Sequence, residues 1–337
     1  MISGLVLIAI SSILAGLAPN YITLVVARMI EGAGSALYVT TANVFLAQIS
    51  GKEKRGQWMS LYWGVLLLGA VLGPTLGGIL ADTFDIRAPF FSYALIAGVG
   101  VIPTLTLPTL ANSGKDSAPQ SFRNIVRDIR QVLSDSSFVL VSFAIFTLFF
   151  LRTGVRSTLV PLFATNNLGL DSSDVGIVLS IASMSMGLTI VPIGSISDRI
   201  GRKIPLALCI LFTAGITLFI PFSTDLFTLT AALAIYGITT GLSGPTIAYV
   251  ADVSPEDKLE VSMGLYRMIN DIGYVLGPLL LGFLADLTAT PIEGASHSGL
   301  IGPIPFVAAS LVLVIAFIVL LKADDPSRRK GTDIILK

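Results

Sequence analysis

The sequence predicts an all-α polytopic membrane protein, a helical bundle built from two pseudo-symmetric halves. Of its 337 residues, 53% are hydrophobic and 12% are charged, whereas soluble domains carry about 25% charged residues. The apolar residues fall into about ten stretches that are long enough to cross a bilayer. Residues 59–82 and 263–286 are identical at about half of their positions. A repeat of this length indicates duplication of a multi-helix membrane unit.

The predicted spans divide the chain into two half-bundles. Four spans lie within residues 1–110 and six within residues 138–321, a hydrophilic linker occupies residues 111–137, and a polar tail occupies residues 322–337. The expected spans are residues 2–18, 21–47, 57–80, 88–108, 138–164, 173–195, 203–222, 226–250, 261–285 and 299–321. In the linker, Phe122, Ile125, Val126 and Ile129 recur at helical spacing beside several arginines. Such an amphipathic helix is expected to lie flat at a membrane interface.

Lysine and arginine are distributed unequally between the two sides of the predicted bundle. Counted from Met1, the joints on one side, together with the tail, hold nearly all of the basic residues that lie outside the spans. The joints on the other side hold Arg87 alone. By the positive-inside rule, both termini and the linker are expected in the cytoplasm, here of a prokaryotic cell.

The composition argues against several other classes of protein. The 21 basic and 21 acidic side chains cancel, so no basic surface for nucleic acid is expected. Cys209 is the single cysteine and His297 the single histidine, which argues against a disulfide framework, a metal site and a serine–histidine triad. The sequence contains no G-x-x-x-x-G-K-[ST] loop, so ATP is not the expected energy source. We therefore expect no enzymatic activity, no cofactor and no metal.

A glycine–proline motif lies in the third predicted span and recurs about 204 residues later in the ninth. The first copy consists of Gly69, Gly73, Pro74, Gly77 and Gly78, and the second of Gly273, Gly277, Pro278 and Gly282. Glycine allows a neighbouring helix to approach closely, and proline bends a helix at a fixed depth. Close helix packing is therefore expected along both copies.

Three motifs together resemble those of the major facilitator superfamily, and the resemblance covers essentially the whole chain. A loop matches the family's G-x-x-x-D-R-x-G-R-K pattern at every defined position, with Gly194, Asp198, Arg199, Gly201, Arg202 and Lys203. Residues 28–34 look like its R-x-x-q-G-x-G helix motif, with Glu31 where glutamine is common. Residues 69–78 match the G-x-x-x-G-P-x-x-G-G motif of its drug:proton antiporter-like branch. The resemblance implies a bundle of two halves that works by alternating access.

The loop 194–203 is expected to act as a cytoplasmic gate. Asp198 can accept hydrogen bonds from the amino end of a neighbouring helix, where the helix dipole is positive. Arg199, Arg202 and Lys203 can pair with carboxylates on other helix ends or with anionic lipid. The alternative is that these cations only fix the topology, but topology requires neither Asp198 nor Gly201.

The chain departs from the family pattern at its amino end. Members of this family usually have twelve spans, and the loop 194–203 should have a counterpart just before the span that starts at Met1. The resemblance therefore implies that the first two helices are missing. A fragment or a misassigned start is favoured over a protein with ten genuine spans.

Six ionisable residues lie at membrane depth, where a charge costs several kcal/mol unless it is paired or faces water. Glu31 and Arg28 are one turn apart in the second span, and Asp271 and Arg267 are similarly placed in the ninth. These four residues are candidates for proton coupling, with static helix-pinning ion pairs as the alternative.

Arg152 and Arg156 share a face of the fifth span and have no carboxylate within a turn. In this family the equivalent helix faces the central cavity, so both arginines are candidates for the substrate cavity. Their uncompensated charge favours neutral or anionic amphiphiles over lipophilic cations.

The expected function is secondary active transport of a small solute, with efflux in exchange for protons. The expected partners are the substrate, protons and membrane lipid, and the protein is expected to act as a monomer. Two alternatives remain open: proton-coupled uptake by symport, and a non-transporting fragment or pseudo-transporter that scaffolds or senses.

Overall fold

The computed structural model describes residues 1–49, 55–107, 122–291 and 299–323, and these residues are almost entirely helical. In this part of the chain, nine helical segments are long and apolar enough to cross a membrane. A further apolar helix, Ile2–Gly16, is shorter. The predicted all-α membrane fold is therefore confirmed. The chain divides into two compact units, Met1–Ala118 with Asp171–Gly176, and Pro119–Leu170 with Ile177–Lys337.

The first unit contains four long helices and the first turn of a fifth. The helices are α1 (Ile2–Gly16), α2 (Tyr21–Ile49), α3 (Arg55–Thr83) and α4 (Ala88–Leu105). Helix α1 packs against α2 and α4, and its contact with α2 is a backbone contact. A Cβ atom added to Gly4 would lie 2.7 Å from the carbonyl oxygen of Gly34, and one added to Gly34 would lie 2.9 Å from that of Gly4.

The second unit contains the remaining elements. They are α5 (Phe122–Val132), α6 (Ser136–Leu151), a π-helix (Arg152–Leu159), α7 (Val160–Leu168), α8 (Ser172–Ile200, whose first turn belongs to the first unit), α9 (Lys203–Phe219), a 3-10 turn (Ile220–Phe222), α10 (Leu226–Gly241), α11 (Thr246–Val253), a 3-10 turn (Glu256–Lys258), α12 (Leu259–Thr288), β1 (Thr290–Pro291), β2 (Gly299–Leu300) and α13 (Ile304–Leu321). Helix α12 packs on α6 and the π-helix, and α9 packs on α10 and α13. Tyr236, Tyr249, Phe138 and Phe306 are the largest fully buried side chains.

Most predicted spans match the helices to within three residues at each end, but four differ more. The sixth, predicted as residues 173–195, continues in α8 to Ile200. The fifth span, predicted as residues 138–164, is α6, the π-helix and α7 in succession, and it extends to Leu168. The eighth, predicted as residues 226–250, is interrupted between α10 and α11, where Pro245 lacks the amide hydrogen that a continuous helix needs. The tenth, predicted from residue 299, begins at Ile304, because Gly299–Leu300 pairs antiparallel with Thr290–Pro291.

The linker contains helix α5 at the position of the predicted amphipathic pattern. This helix contacts α12, and Val132 at its end is fully buried. Asp128 forms an ion pair with Lys258, with 3.7 Å between Oδ1 and Nζ. The side chains of Phe122 and Ile125 lie outside the described residues, as do the rest of the linker before Phe122, His297, and the tail after Ala323.

Candidate functional site

The first unit contains a partly buried ion pair within spanning helix α2. The guanidinium Nη1 of Arg28 donates to both carboxylate oxygens of Glu31, at 2.8 and 2.7 Å. The Glu31 side chain is 10% exposed and that of Arg28 is 53% exposed. The Arg28 guanidinium also lies 6.0 Å from the centre of the Phe90 ring, within cation–π range. The buried member of the pair is the carboxylate, and the accessible member is the arginine.

The second candidate pair, in α12, is more open. The Nε atom of Arg267 lies 3.4 Å from a carboxylate oxygen of Asp271. The two side chains are 71% and 58% exposed, respectively. The two carboxylates at membrane depth therefore differ in environment: Glu31 is enclosed by protein, and Asp271 is accessible from outside the protein.

Arg152 and Arg156 lie in the π-helix of the second unit. π-Helices are rare and frequently occur at functional sites. The Nη2 atom of Arg156 donates to the carbonyl oxygen of Leu179, at 3.0 Å, and to the hydroxyl of Ser183. The Nε atom of Arg156 is buried and has no hydrogen-bond partner among the described residues. Arg152 lines a cavity of about 20 Å³, roughly the space of one water molecule.

The predicted loop 194–203 is largely helical: residues 194–200 are the last two turns of α8, and only Gly201 and Arg202 separate them from α9. Gly201 ends α8 with a φ of +91°, a left-handed conformation that favours glycine. Arg202 pairs with Asp252 of α11 at 2.9 Å and with Asp198 at 3.6 Å. Asp198 is 70% exposed, and in the described part of the chain no helix amino end donates to it. The Asp198 carboxylate therefore pairs within its own loop.

Lys203 caps the last helix of the second unit. Its ammonium Nζ donates to the carbonyl oxygens of Leu321, at 2.8 Å, and Ala323, at 2.6 Å. These oxygens belong to the carboxyl end of α13, where unpaired carbonyls and the negative end of the helix dipole favour a cation. Sequence reasoning predicted a carboxylate or lipid partner for Lys203 and missed this one.

The two copies of the glycine–proline motif make different contacts. In α12, Cβ atoms added to Gly273 and Gly277 would lie 2.9 Å from the carbonyl oxygen of Phe146 and 2.0 Å from that of Phe150. In α3, Cβ atoms added to Gly69, Gly73 and Gly77 would have no described neighbour within 4 Å. Close packing was expected along both copies, and in the first copy it occurs at Gly78 alone among these four glycines.

Gly78 and Pro74 contact the first turn of α8, within the first unit. A Cβ atom added to Gly78 would lie 2.2 Å from the carbonyl oxygen of Ser172. Asp82, at the end of α3, accepts hydrogen bonds from the backbone amides of Ser172, at 3.2 Å, and Ser173, at 2.6 Å. Asp82 therefore caps α8, a role that the sequence analysis did not predict.

Within the described residues, no group of three or more histidine, cysteine, aspartate or glutamate side chains is arranged to hold a metal ion. Cys209 is fully buried and packs as a small apolar group.

A bundle of spanning helices with buried charges and helix-breaking motifs is the architecture of a membrane transporter. The chain belongs to the Major Facilitator Superfamily, whose sequence model matches residues 1–155 and again residues 141–335. The proteins of this family and fold are transporters. The expectation from the sequence motifs is confirmed at this level.

Individual relatives are distant. An uncharacterized MFS-type transporter from Methanocaldococcus jannaschii is 24% identical over 299 residues, which are 85% of this chain and 74% of that protein. Multidrug resistance protein 2 of Bacillus subtilis is 21% identical over 295 residues, covering 85% of this chain and 72% of the relative.

A solved structure shares the fold. A bacterial homologue of the human lysosomal transporter Spinster, in an inward-facing and occupied conformation, superposes with a TM-score of 0.71 at 18% identity. The superposition covers 95% of this chain and 81% of the homologue.

Proposed function

We propose that this protein expels a small solute across the membrane in exchange for protons, by alternating access. The observation that carries the proposal is the Arg28–Glu31 pair, in which a carboxylate that is 10% exposed lies within a spanning helix. A carboxylate at this depth is costly to maintain unless a cation or a proton neutralises it. The Glu31 charge can therefore be neutralised either by Arg28 or by a proton, and a proton carrier must alternate between these two states.

Arg28 controls which of the two ways is used. While its guanidinium contacts both oxygens of Glu31, the carboxylate stays charged and needs no proton. If substrate or a helix movement draws the half-exposed Arg28 away, Glu31 becomes a buried charge without a partner. Binding a proton then becomes the cheaper way to satisfy it. Proton uptake is in this way coupled to the conformational state of α2.

Efflux by antiport is favoured over uptake by symport for two reasons. Residues 69–78 match the motif of the antiporter branch, and relatives named as multidrug resistance or multidrug transporter proteins recur among the similar proteins. A glycine–proline helix in this position is suited to seal the bundle against leak while the cavity is empty. We infer a multi-pass monomer in a prokaryotic cell membrane with both termini in the cytoplasm.

The loop 194–203 is proposed to lock one conformation on the cytoplasmic side. Its contribution rests on the Arg202–Asp252 pair and on the contacts of Lys203 with the end of α13. These contacts tie the α8–α9 connection to two other helices of the second unit. Rocking of helices during transport would have to break them, so they stabilise the state in which they form.

The test is gradient-driven transport by the purified chain in proteoliposomes, with Glu31→Gln beside the parent protein. Glutamine keeps the size of the side chain but cannot carry a proton. We expect E31Q to lose at least 90% of transport driven by a pH gradient, while exchange of labelled for unlabelled substrate without a gradient continues.

The matched control is Glu260→Gln, which changes an exposed carboxylate in the first turn of α12 and should transport normally. Unchanged gradient-driven efflux in E31Q would exclude Glu31 as the obligatory carrier and move the assignment to Asp271. Concentration of substrate on the proton-rich side would exclude symport, and concentration on the proton-poor side would establish symport.

A further inference from the structure

We propose that Arg152 and Arg156 form the binding site for the anionic group of an amphiphilic substrate. This inference rests on the proposed function, since it names the substrate class of the transporter. The site lies entirely within the second unit, between the π-helix, α8 and the break that separates α10 from α11.

The positive charges of Arg152 and Arg156 have no carboxylate partner among the described residues. None of the ion pairs formed by the described residues includes Arg152 or Arg156. The two like charges also repel each other. An arginine at membrane depth is costly unless it is paired or faces water. Two such charges side by side, without a carboxylate partner among the described residues, therefore suit an anionic ligand.

Arg156 and the π-helix are both held by neighbouring helices. Arg156 is fixed by Leu179 and Ser183 of α8, and its Nε–H is buried without a hydrogen-bond partner among the described residues. The π-helix packs closely on α12, because a Cβ atom added to Gly154 would lie 2.8 Å from the carbonyl oxygen of Gly277. The Arg156 side chain and the backbone that carries Arg152 are therefore positioned before any ligand binds, which reduces the entropy cost of binding.

The cavity beside Arg152 is lined by both apolar and hydroxyl side chains. The other lining residues are three apolar and three hydroxyl side chains: Leu148, Phe149, Met186, Thr240, Ser243 and Thr246. The hydroxyl of Thr240 already donates to the carbonyl of Tyr236, and that of Ser243 donates to the carbonyl of Thr240. The guanidinium groups are therefore the main source of free donors at the site.

Guanidinium groups bind carboxylates, sulfonates and phosphates through paired hydrogen bonds. The apolar side chains beside them suit the first carbons of an alkyl or aryl tail. In the present conformation the cavity has room for about one water molecule. This cavity is the inner end of the proposed site, where the anionic group pairs with Arg152.

The experiment measures equilibrium binding to the full chain in a non-ionic detergent, without any gradient. The probes are radiolabelled dodecanoate, dodecylamine and dodecanol, which share one tail and differ in charge. We expect dodecanoate to bind at least ten-fold more tightly than either of the others. Arg152→Gln and Arg156→Gln should each weaken its binding at least ten-fold, and Arg152→Lys should restore part of it.

The control is Arg87→Gln, which removes one positive charge from an exposed position in the first unit and should leave binding unchanged. Because Arg156 is partly buried, its variant is compared only if its melting temperature matches that of the parent. If it does not match, the test rests on the two Arg152 variants. Equal or tighter binding of dodecylamine, or dodecanoate binding that R152Q does not change, would overturn the proposal.

A second arm distinguishes a substrate from a bound anionic lipid. In proteoliposomes, bound dodecanoate should exchange across the membrane if it is a substrate, whereas binding without exchange would overturn the assignment of substrate class. If dodecanoate binds as expected but a pH gradient drives no transport by the parent protein, the proposed antiport is contradicted and the binding site is not. The two failures are therefore distinguishable.

Discussion

Arg202 and Asp252 form a close ion pair between the motif segment 194–203 and α11. Its atoms are 2.9 Å apart, and the side chains are 20% and 24% exposed. Replacing Asp252 with asparagine should remove this ion pair and lower the free energy of unfolding by about 2 kcal/mol. Thermal unfolding in detergent, followed by tyrosine and tryptophan fluorescence, measures the change.

Asp257→Asn is the matched control for this prediction. The Asp257 side chain is 75% exposed and lies 4.0 Å from Lys258, so its loss should change the melting temperature little. If both variants unfold at the temperature of the parent, Arg202–Asp252 does not stabilise this conformation, and the gating role proposed for the loop loses its main support.

At this scale, the sequence located the charged residues more reliably than their partners. Arg28 and Glu31 could be paired from the sequence because three residues separate them on one helix. Asp252 could not be assigned to Arg202, since 50 residues separate them and only the packing of α11 brings them together. The same reason hid Lys203's contact with the end of α13 and the capping of α8 by Asp82.

At the scale of helices, the duplicated glycine motif supplies a built-in comparison. Gly277 and Gly73 occupy equivalent positions of the repeat. A Cβ atom at Gly277 would lie 2.0 Å from the carbonyl oxygen of Phe150, whereas one at Gly73 would have no described atom within 4 Å. Alanine at Gly277 must push α12 away from α6, and overpacking of this kind costs about 1–3 kcal/mol.

We therefore expect Gly277→Ala to lower the melting temperature of the purified chain, and Gly73→Ala to leave it unchanged or raise it slightly. Alanine at an open helical position removes the entropy cost of glycine. The comparison is made on the same preparation by thermal unfolding. Equal destabilisation by both variants would show that another helix packs on Gly73, contrary to the contacts described above.

The π-helix is the element that the sequence could least predict. Residues 138–164 read as one continuous apolar span, because hydropathy summed over a window of membrane length does not distinguish a π-helix from an α-helix. The break after α10 had a visible signal in Gly244 and Pro245. It was overlooked because the hydrophobicity on either side continues without interruption.

At the scale of the whole molecule, composition and the internal repeat were enough to predict a helical membrane protein, and three motifs were enough to predict its family. Composition and the repeat depend on sums over many residues, which tolerate errors at single positions. Span boundaries depend on a few residues at each end, and those were wrong where a proline or a short strand ended the helix. The properties of the substrate depend on Arg152, Arg156 and their surroundings, which only the fold brings together.

The central claim is that substrate leaves the cell as protons enter, through a cycle in which Glu31 binds and releases the proton. The most direct measurement follows both species at once in proteoliposomes that hold the purified chain, a pH-sensitive dye and labelled substrate. We expect a substrate gradient alone to drive protons in the direction opposite to the substrate flow. This proton movement should disappear in Glu31→Gln. Substrate movement without any proton movement in the parent protein, or with protons moving in the same direction, would contradict it.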